Sequence, residues 1–222
     1  MFDEASLTHA LADVGYRRLK RHIYRAEWST EVEHFIYFQL YGTPANFLAA
    51  DFGIRTKESE HFAIRSIQAY GSATDQLLRP DERSGCYMRF SLGRFASWGM
   101  RTSLTVSSMS GPALAAKIKH DVEQKLFPVI RGITSLELLL NFWLTDAEPC
   151  PWYRCNGAMR AAMIVNVARG VGIAPAEIRK LLEPHLREIG RPHLHDAPDP
   201  DPGRYVDKII RDAYAEALPG SA

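Results

Sequence analysis

The apolar positions of this chain change period along its length. Leu7, Ala10, Leu11 and Val14 recur at helical spacing, Asp3 or Ser6 stands where a cap is needed, and Gly15 can close the turn. From Tyr16 to Ile54 the texture becomes aromatic and β-branched, which predicts three strands, Tyr16–Trp28, Val32–Tyr41 and Asn46–Ile54. Ser29-Thr30 and Gly42-Thr43-Pro44 carry turn chemistry, and links this short favour an antiparallel meander. Lys57 to Tyr70 reads as a helix bearing Phe62, Ile64 and Ile67, and the polar stretch Gly71 to Gly85 as a loop. Two more strands are expected at Cys86–Leu92 and Met100–Ser107. In the second, Met100, Thr102, Leu104 and Val106 alternate with Arg101, Ser103, Thr105 and Ser107, as a sheet with one buried face requires.

After Ser110-Gly111-Pro112 the pattern turns helical and stays so. Leu114, Ile118, Val122 and Leu126 repeat every four residues, and Thr134-Ser135-Leu136-Glu137 matches a capping box with Thr134 as the cap. Leu136, Leu139, Leu140 and Trp143 form the stripe behind it. A third helix carries Met159, Met163 and Val167 and closes near Gly170. A fourth opens at Ala174-Pro175 and bends or restarts at Pro184. A proline-rich linker, Arg191 to Gly203, precedes a last helix with Val206, Ile209, Ile210 and Ala213. The order of helix, sheet and helices predicts an α+β fold: an antiparallel sheet of about five strands packed with helices, then a helical C-terminal region. The expected division is an α+β domain over 1–145 and a helical extension over 157–218, packed on the first part.

Composition changes this picture little. The 222 residues are 46% hydrophobic and 24% charged, ordinary for a globular chain, and a net charge of +1 supplies no overall field for nucleic acid or an anionic membrane. Asp3 and Glu4 without an apolar run argue against a signal peptide, and no segment has the length of uncharged apolar sequence that a spanning helix needs. Three cysteines do not make a disulfide framework, so a reducing, cytoplasmic setting is expected.

Candidate chemistry is sparse. There is no G-x-S-x-G elbow, no P-loop and no dinucleotide fingerprint. Asp51 and Glu58–Glu60 are acids whose spacing singles out no acid–base pair. The run Arg17, Arg18, Lys20, Arg21, with Arg25 beside Tyr16, Tyr24 and Trp28, has the cations and rings a nucleic acid would use; an edge strand protected by charge is the plainer reading. Cys150 and Cys155 could meet His193 and His195 at a zinc ion, although the spacing does not specify it, and a loop that happens to hold two cysteines is the alternative. Aromatic and arginine side chains in loops remain as partner-binding candidates: Trp28, Arg94, Trp98, Arg101, Trp152 and Tyr153. Core anchoring is the other reading of the tryptophans.

Several of these segments resemble a bacterial family that carries only a placeholder name, the domain of unknown function numbered four-three-zero-four. The likeness rests on Gly15-Tyr16-Arg17-Arg18 with Ile23-Tyr24-Arg25, on Phe35-Ile36-Tyr37-Phe38-Gln39, and on Phe47-Leu48-Ala49-Ala50-Asp51-Phe52-Gly53-Ile54. It continues in Cys86-Tyr87-Met88-Arg89-Phe90-Ser91-Leu92-Gly93 with Trp98, and in Leu126-Phe127-Pro128-Val129-Ile130 with Thr134 and Leu136, so that residues 5–145 are covered in order. Leu40-Tyr41 depart from the polar pair that follows the glutamine in the family. The resemblance implies a sheet with helices, no catalytic residues to carry over, and a lean toward immunity proteins of toxin systems. The expectation is therefore a non-enzymatic, cofactor-free protein that binds a protein partner, in its sharpest form an immunity protein neutralising a cognate toxin. Nucleic-acid binding through Arg17–Arg25 is the alternative, and a metal-dependent enzyme at Cys150, Cys155, His193 and His195 the second.

Overall fold

The computed structural model describes residues 3–26, 28–42, 46–70, 88–98, 102–147, 150–191 and 201–215. The fold is α+β, and the chain forms two compact units that interleave along the sequence. The first takes in residues up to Arg55 and returns for the stretch ending at Thr134; the second takes in Thr56 to Tyr70 and the residues from Ser135 onward.

In the first unit α1 (Glu4–Ala12) starts at Asp3, whose carboxylate accepts hydrogen bonds from the Ala5 and Ser6 amides. Gly15, at φ 86°, turns the chain into β1 (Tyr16–Lys20). The single strand expected over Tyr16–Trp28 is in fact a hairpin, because β2 (Ile23–Ala26) folds back on β1. Its tip falls at Arg21-His22, with His22 at φ 61°, where the sequence has no apolar side chain to bury. β3 (Glu33–Tyr41) and β4 (Phe47–Arg55) follow, and β4 runs into α2 (Lys57–Tyr70) of the second unit.

β5 (Phe90–Ser91) and β6 (Ser103–Thr105) are shorter than the alternation predicts. Ser91 Oγ accepts from the Arg94 amide and starts the short helix α3 (Leu92–Phe95), and Val106–Ser108 closes into a 3₁₀ turn. Cys86, Tyr87, Met100 and Arg101 lie outside the described residues. The strand order is β1-β2-β3-β4-β5, with β6 also on β4, and every pairing is antiparallel. β5 and β6 share the same strand: Phe52 pairs with Phe90 and Leu48 with Leu104. Period-two alternation puts Tyr24, Ile36, Phe38, Leu48, Ala50, Phe52 and Leu104 on one face, and all of them are buried.

α4 (Gly111–Asp121) is capped by Ser110, packs against α1, and buries Leu114, Ala115 and Ile118. It widens into a π turn, Val122–Leu126, before α5 (Phe127–Ile130). Pro128 has no N–H to return to the preceding turn, and the wider turn accommodates its ring.

The second unit is helical: α2 with α6 (Leu136–Leu144), α7 (Gly157–Gly170), α8 (Pro175–Leu182), α9 (Leu186–Ile189) and α10 (Pro202–Ala215). The cap of α6 is Ser135, one residue later than expected; its Oγ accepts from the Leu138 amide at 3.4 Å. α7 is the centre. Met159 and every residue from Arg160 to Ala168 are buried, and α2, α6, α9 and α10 all pack on it. α8 gives way to a 3₁₀ turn at Glu183–His185, where Pro184 breaks the ladder. No helix among the described residues is long and apolar enough to cross a membrane.

Candidate functional site

The first unit carries a cleft of about 990 Å³ between the end of α1, the start of β1 and the α4–α5 ridge. Its floor is aromatic. Trp28 meets Phe127 edge to face, with ring centroids 5.4 Å apart at 84°, and meets Tyr16 likewise at 4.9 Å and 83°. Gly15 permits this approach, since a Cβ there would stand 3.3 Å from the Trp28 ring. His34, from β3, lies against the far side of Trp28 at 5.2 Å.

Three polar atoms in this cluster have no hydrogen-bond partner among the described residues: Tyr16 Oη, Trp28 Nε1 and His34 Nδ1. The other His34 nitrogen, Nε2, donates to the Ile133 carbonyl at 2.8 Å, which leaves Nδ1 as an acceptor on a neutral ring. Burial pushes His34 down to about 4 and holds the Tyr16 phenol neutral far above its ordinary range. A buried polar atom without a partner costs on the order of 1–3 kcal/mol, and a cluster built only for stability would use phenylalanine at Tyr16.

Charge at the rim is sorted. Asp13 accepts from Lys119 Nζ at 2.9 Å, which holds its carboxyl below the usual range, and Glu123 adds to the field that raises Lys119. Arg131 is placed differently. One turn beyond Phe127, its guanidinium lies 5.2 Å from that ring's centroid, and no carboxylate or other acceptor among the described residues engages it.

The basic run does not form one surface. Tyr16 and Arg18 face one side of β1 and Arg17 the other, where Arg17 pairs directly across from Arg25. Acids take up much of the charge: Glu4 lies 3.8 Å from Arg18 and 3.6 Å from His22, and Glu33 accepts from Arg25 at 3.3 Å and from buried Arg55 at 2.9 Å. Lys20 and Arg21 are exposed at the hairpin tip, and Arg17 alone of the run lines the cleft. Asp51, on β4, is drawn upward by burial against the pull of Arg89; Glu58 and Glu60 belong to α2 in the other unit.

Of the partner-binding candidates, Trp28 lines the cleft, Arg94 is exposed on α3, and Tyr153 is 49% exposed with Arg154 over its ring at 5.0 Å. Trp98 and Trp152 are buried, in keeping with the core-anchoring reading of these tryptophans. Trp98 is buried and donates from Nε1 to Asp121 at 2.6 Å; Asp121 also accepts from Lys117. Trp152 is fully buried between the His185 ring, stacked at 4.1 Å, and the Arg160 guanidinium at 4.2 Å. Arg101 lies outside the described residues.

Arg160 also explains the cysteine loop. Wholly buried, it donates to the carbonyls of Trp143 at 2.8 Å, Thr145 at 2.7 Å and Cys150 at 2.9 Å, which binds the end of α6 to the loop. Neither Cys150 nor Cys155 is in a disulfide, and burial raises Cys155 more than Arg160 lowers it. His193 and His195 lie outside the described residues. Among those described, no three His, Cys, Asp or Glu side chains gather as metal ligands.

Residue pattern alone did not single out Tyr16, His34, Phe127 and Arg131 as site residues. One local signal was available: proline inside a helical repeat, followed by arginine four residues after an aromatic, marks a widened turn that presents both side chains together. No protein-family model, no curated protein and no solved structure matches this chain.

Proposed function

We propose that this chain is a non-enzymatic protein-binding protein and that it engages its partner through the Trp28–Phe127 cleft. The observation that carries this reading is the aromatic lining of the cleft, Trp28 against Phe127, with the exposed Arg131 at its rim. Protein interfaces concentrate their energy in such places, where tryptophan, tyrosine and arginine surround a pocket that one partner side chain fills. A cleft near 990 Å³ matches an inserted anchor with a wider rim of contacts; the whole interface would cover roughly 800 Å² on each side.

In its narrower form, motivated by the resemblance of residues 5–145, the partner is a bacterial toxin and the chain its immunity protein. Co-expression with the products of the flanking genes tests both levels. The expected result is that one of those products is toxic alone, that this chain restores growth, and that Trp28→Ala abolishes protection while Tyr153→Ala keeps it. Protection that survives Trp28→Ala moves the site elsewhere. Absence of any toxic neighbour, with no complex formed by any of them, removes the immunity reading.

A further inference from the structure

The rim of the cleft states what kind of partner side chain it takes. Both rim acids, Asp13 and Glu123, lie in the field of Lys119, whereas Arg131 has no acid of its own among the described residues. Its guanidinium carbon lies 5.2 Å from the centroid of the Phe127 ring. With no acceptor engaging it among the described residues, its N–H fork is open to a carboxylate, which it can receive through two parallel hydrogen bonds.

From this we infer that the partner presents an acidic anchor: an aspartate or glutamate whose carboxylate meets Arg131, beside an aromatic or branched aliphatic residue packed on Trp28 and Phe127. Arg17 also lines the cleft, on the side of β1. The inference rests on the cleft being the recognition site. It adds the chemistry of the occupant, a carboxylate on a protein segment. The alternative anion, a nucleic-acid phosphate, is disfavoured by the way Glu4 and Glu33 neutralise the neighbouring Arg18 and Arg25.

Selection of displayed random dodecapeptides on the intact chain, followed by fluorescence-polarisation titration of the synthetic winners, tests the assignment. Selected peptides should carry Asp or Glu next to an aromatic or branched aliphatic residue. Exchanging that acid for its amide should weaken binding about ten-fold or more, as should Arg131→Gln, and Arg131→Lys should recover only part because it lacks the fork. Peptides that need Trp28 but carry no acid, or that bind Arg131→Gln as well as the unaltered chain, overturn the acidic anchor and leave the cleft standing. Peptides indifferent to both Trp28→Ala and Arg131→Gln, or no enrichment at all, count against the cleft itself. A fluorescent single-stranded oligothymidylate gives the third arm: salt-sensitive binding lost in Arg131→Gln would assign the site to phosphate and overturn the proposal. The peptide amide exchange leaves this protein untouched, so its result does not depend on any variant folding.

Discussion

Two of the arginines that lie over aromatic rings, Arg160 and Arg131, are opposites. Arg160 is sealed in the helical unit with its guanidinium spread over the carbonyls of Trp143, Thr145 and Cys150, and its faces are covered by Trp143 and Trp152. Arg131, in the sheet-bearing unit, lies exposed over Phe127 with its fork uncommitted. The side-chain chemistry is the same in both, so composition cannot separate them. What separates them is saturation: the donors of Arg160 are consumed locally, and those of Arg131 engage no acceptor among the described residues.

The largest effect should come from replacing Arg160. Arg160→Met leaves three carbonyls short of a donor and should destabilise the chain by about 4 kcal/mol or more in urea unfolding; Arg160→Lys should not restore it, since one ammonium cannot reach all three. The next effect belongs to the unsaturated cluster. The His34 pKa is 6.5 unfolded and about 4 folded, so the unfolded chain binds the proton first as pH falls. Stability is therefore intact above 6.5 and lost progressively down to about 4, by on the order of 3 kcal/mol, and His34→Gln should flatten that part of the pH–stability curve. A smaller change of opposite sign is expected for Tyr16→Phe, which removes a buried unpaired hydroxyl: unchanged melting, or stabilisation by up to about 1–2 kcal/mol. A clear loss of stability in that variant would show that the hydroxyl is satisfied after all. The smallest effect is that of Arg131→Gln on folding, within about 1 kcal/mol by thermal denaturation, because an exposed cation over one ring contributes little.

The same contrast shows what the residue order could disclose. The α+β class and α1 follow from hydrophobic period and element order, β3 and β4 from their aromatic and β-branched texture, and α2 from a less regular apolar spacing of Phe62, Ile64 and Ile67. The β1–β2 hairpin was hidden by the even aromatic and basic texture of Tyr16–Trp28, in which only the register of pairing reveals the reversal at His22. Trp28 was legible as a partner-binding candidate, and it lines the cleft. Trp152 and Trp98 looked equivalent to it, and only their partners, Arg160 with His185 and Asp121, mark them as anchors. Arg131 was not legible, since its meaning depends on which groups failed to gather around it.

The interleaving of the two units also bears on how this chain is made. α2 emerges from the ribosome before the first unit is complete, yet the helix it packs on most extensively, α7, is synthesised only after that unit has ended. Until then α2 lacks the helix it packs on most extensively. A chain truncated near residue 145 would never gain it. Such a fragment should be recovered from inclusion bodies or with chaperones bound, however well its sheet can form.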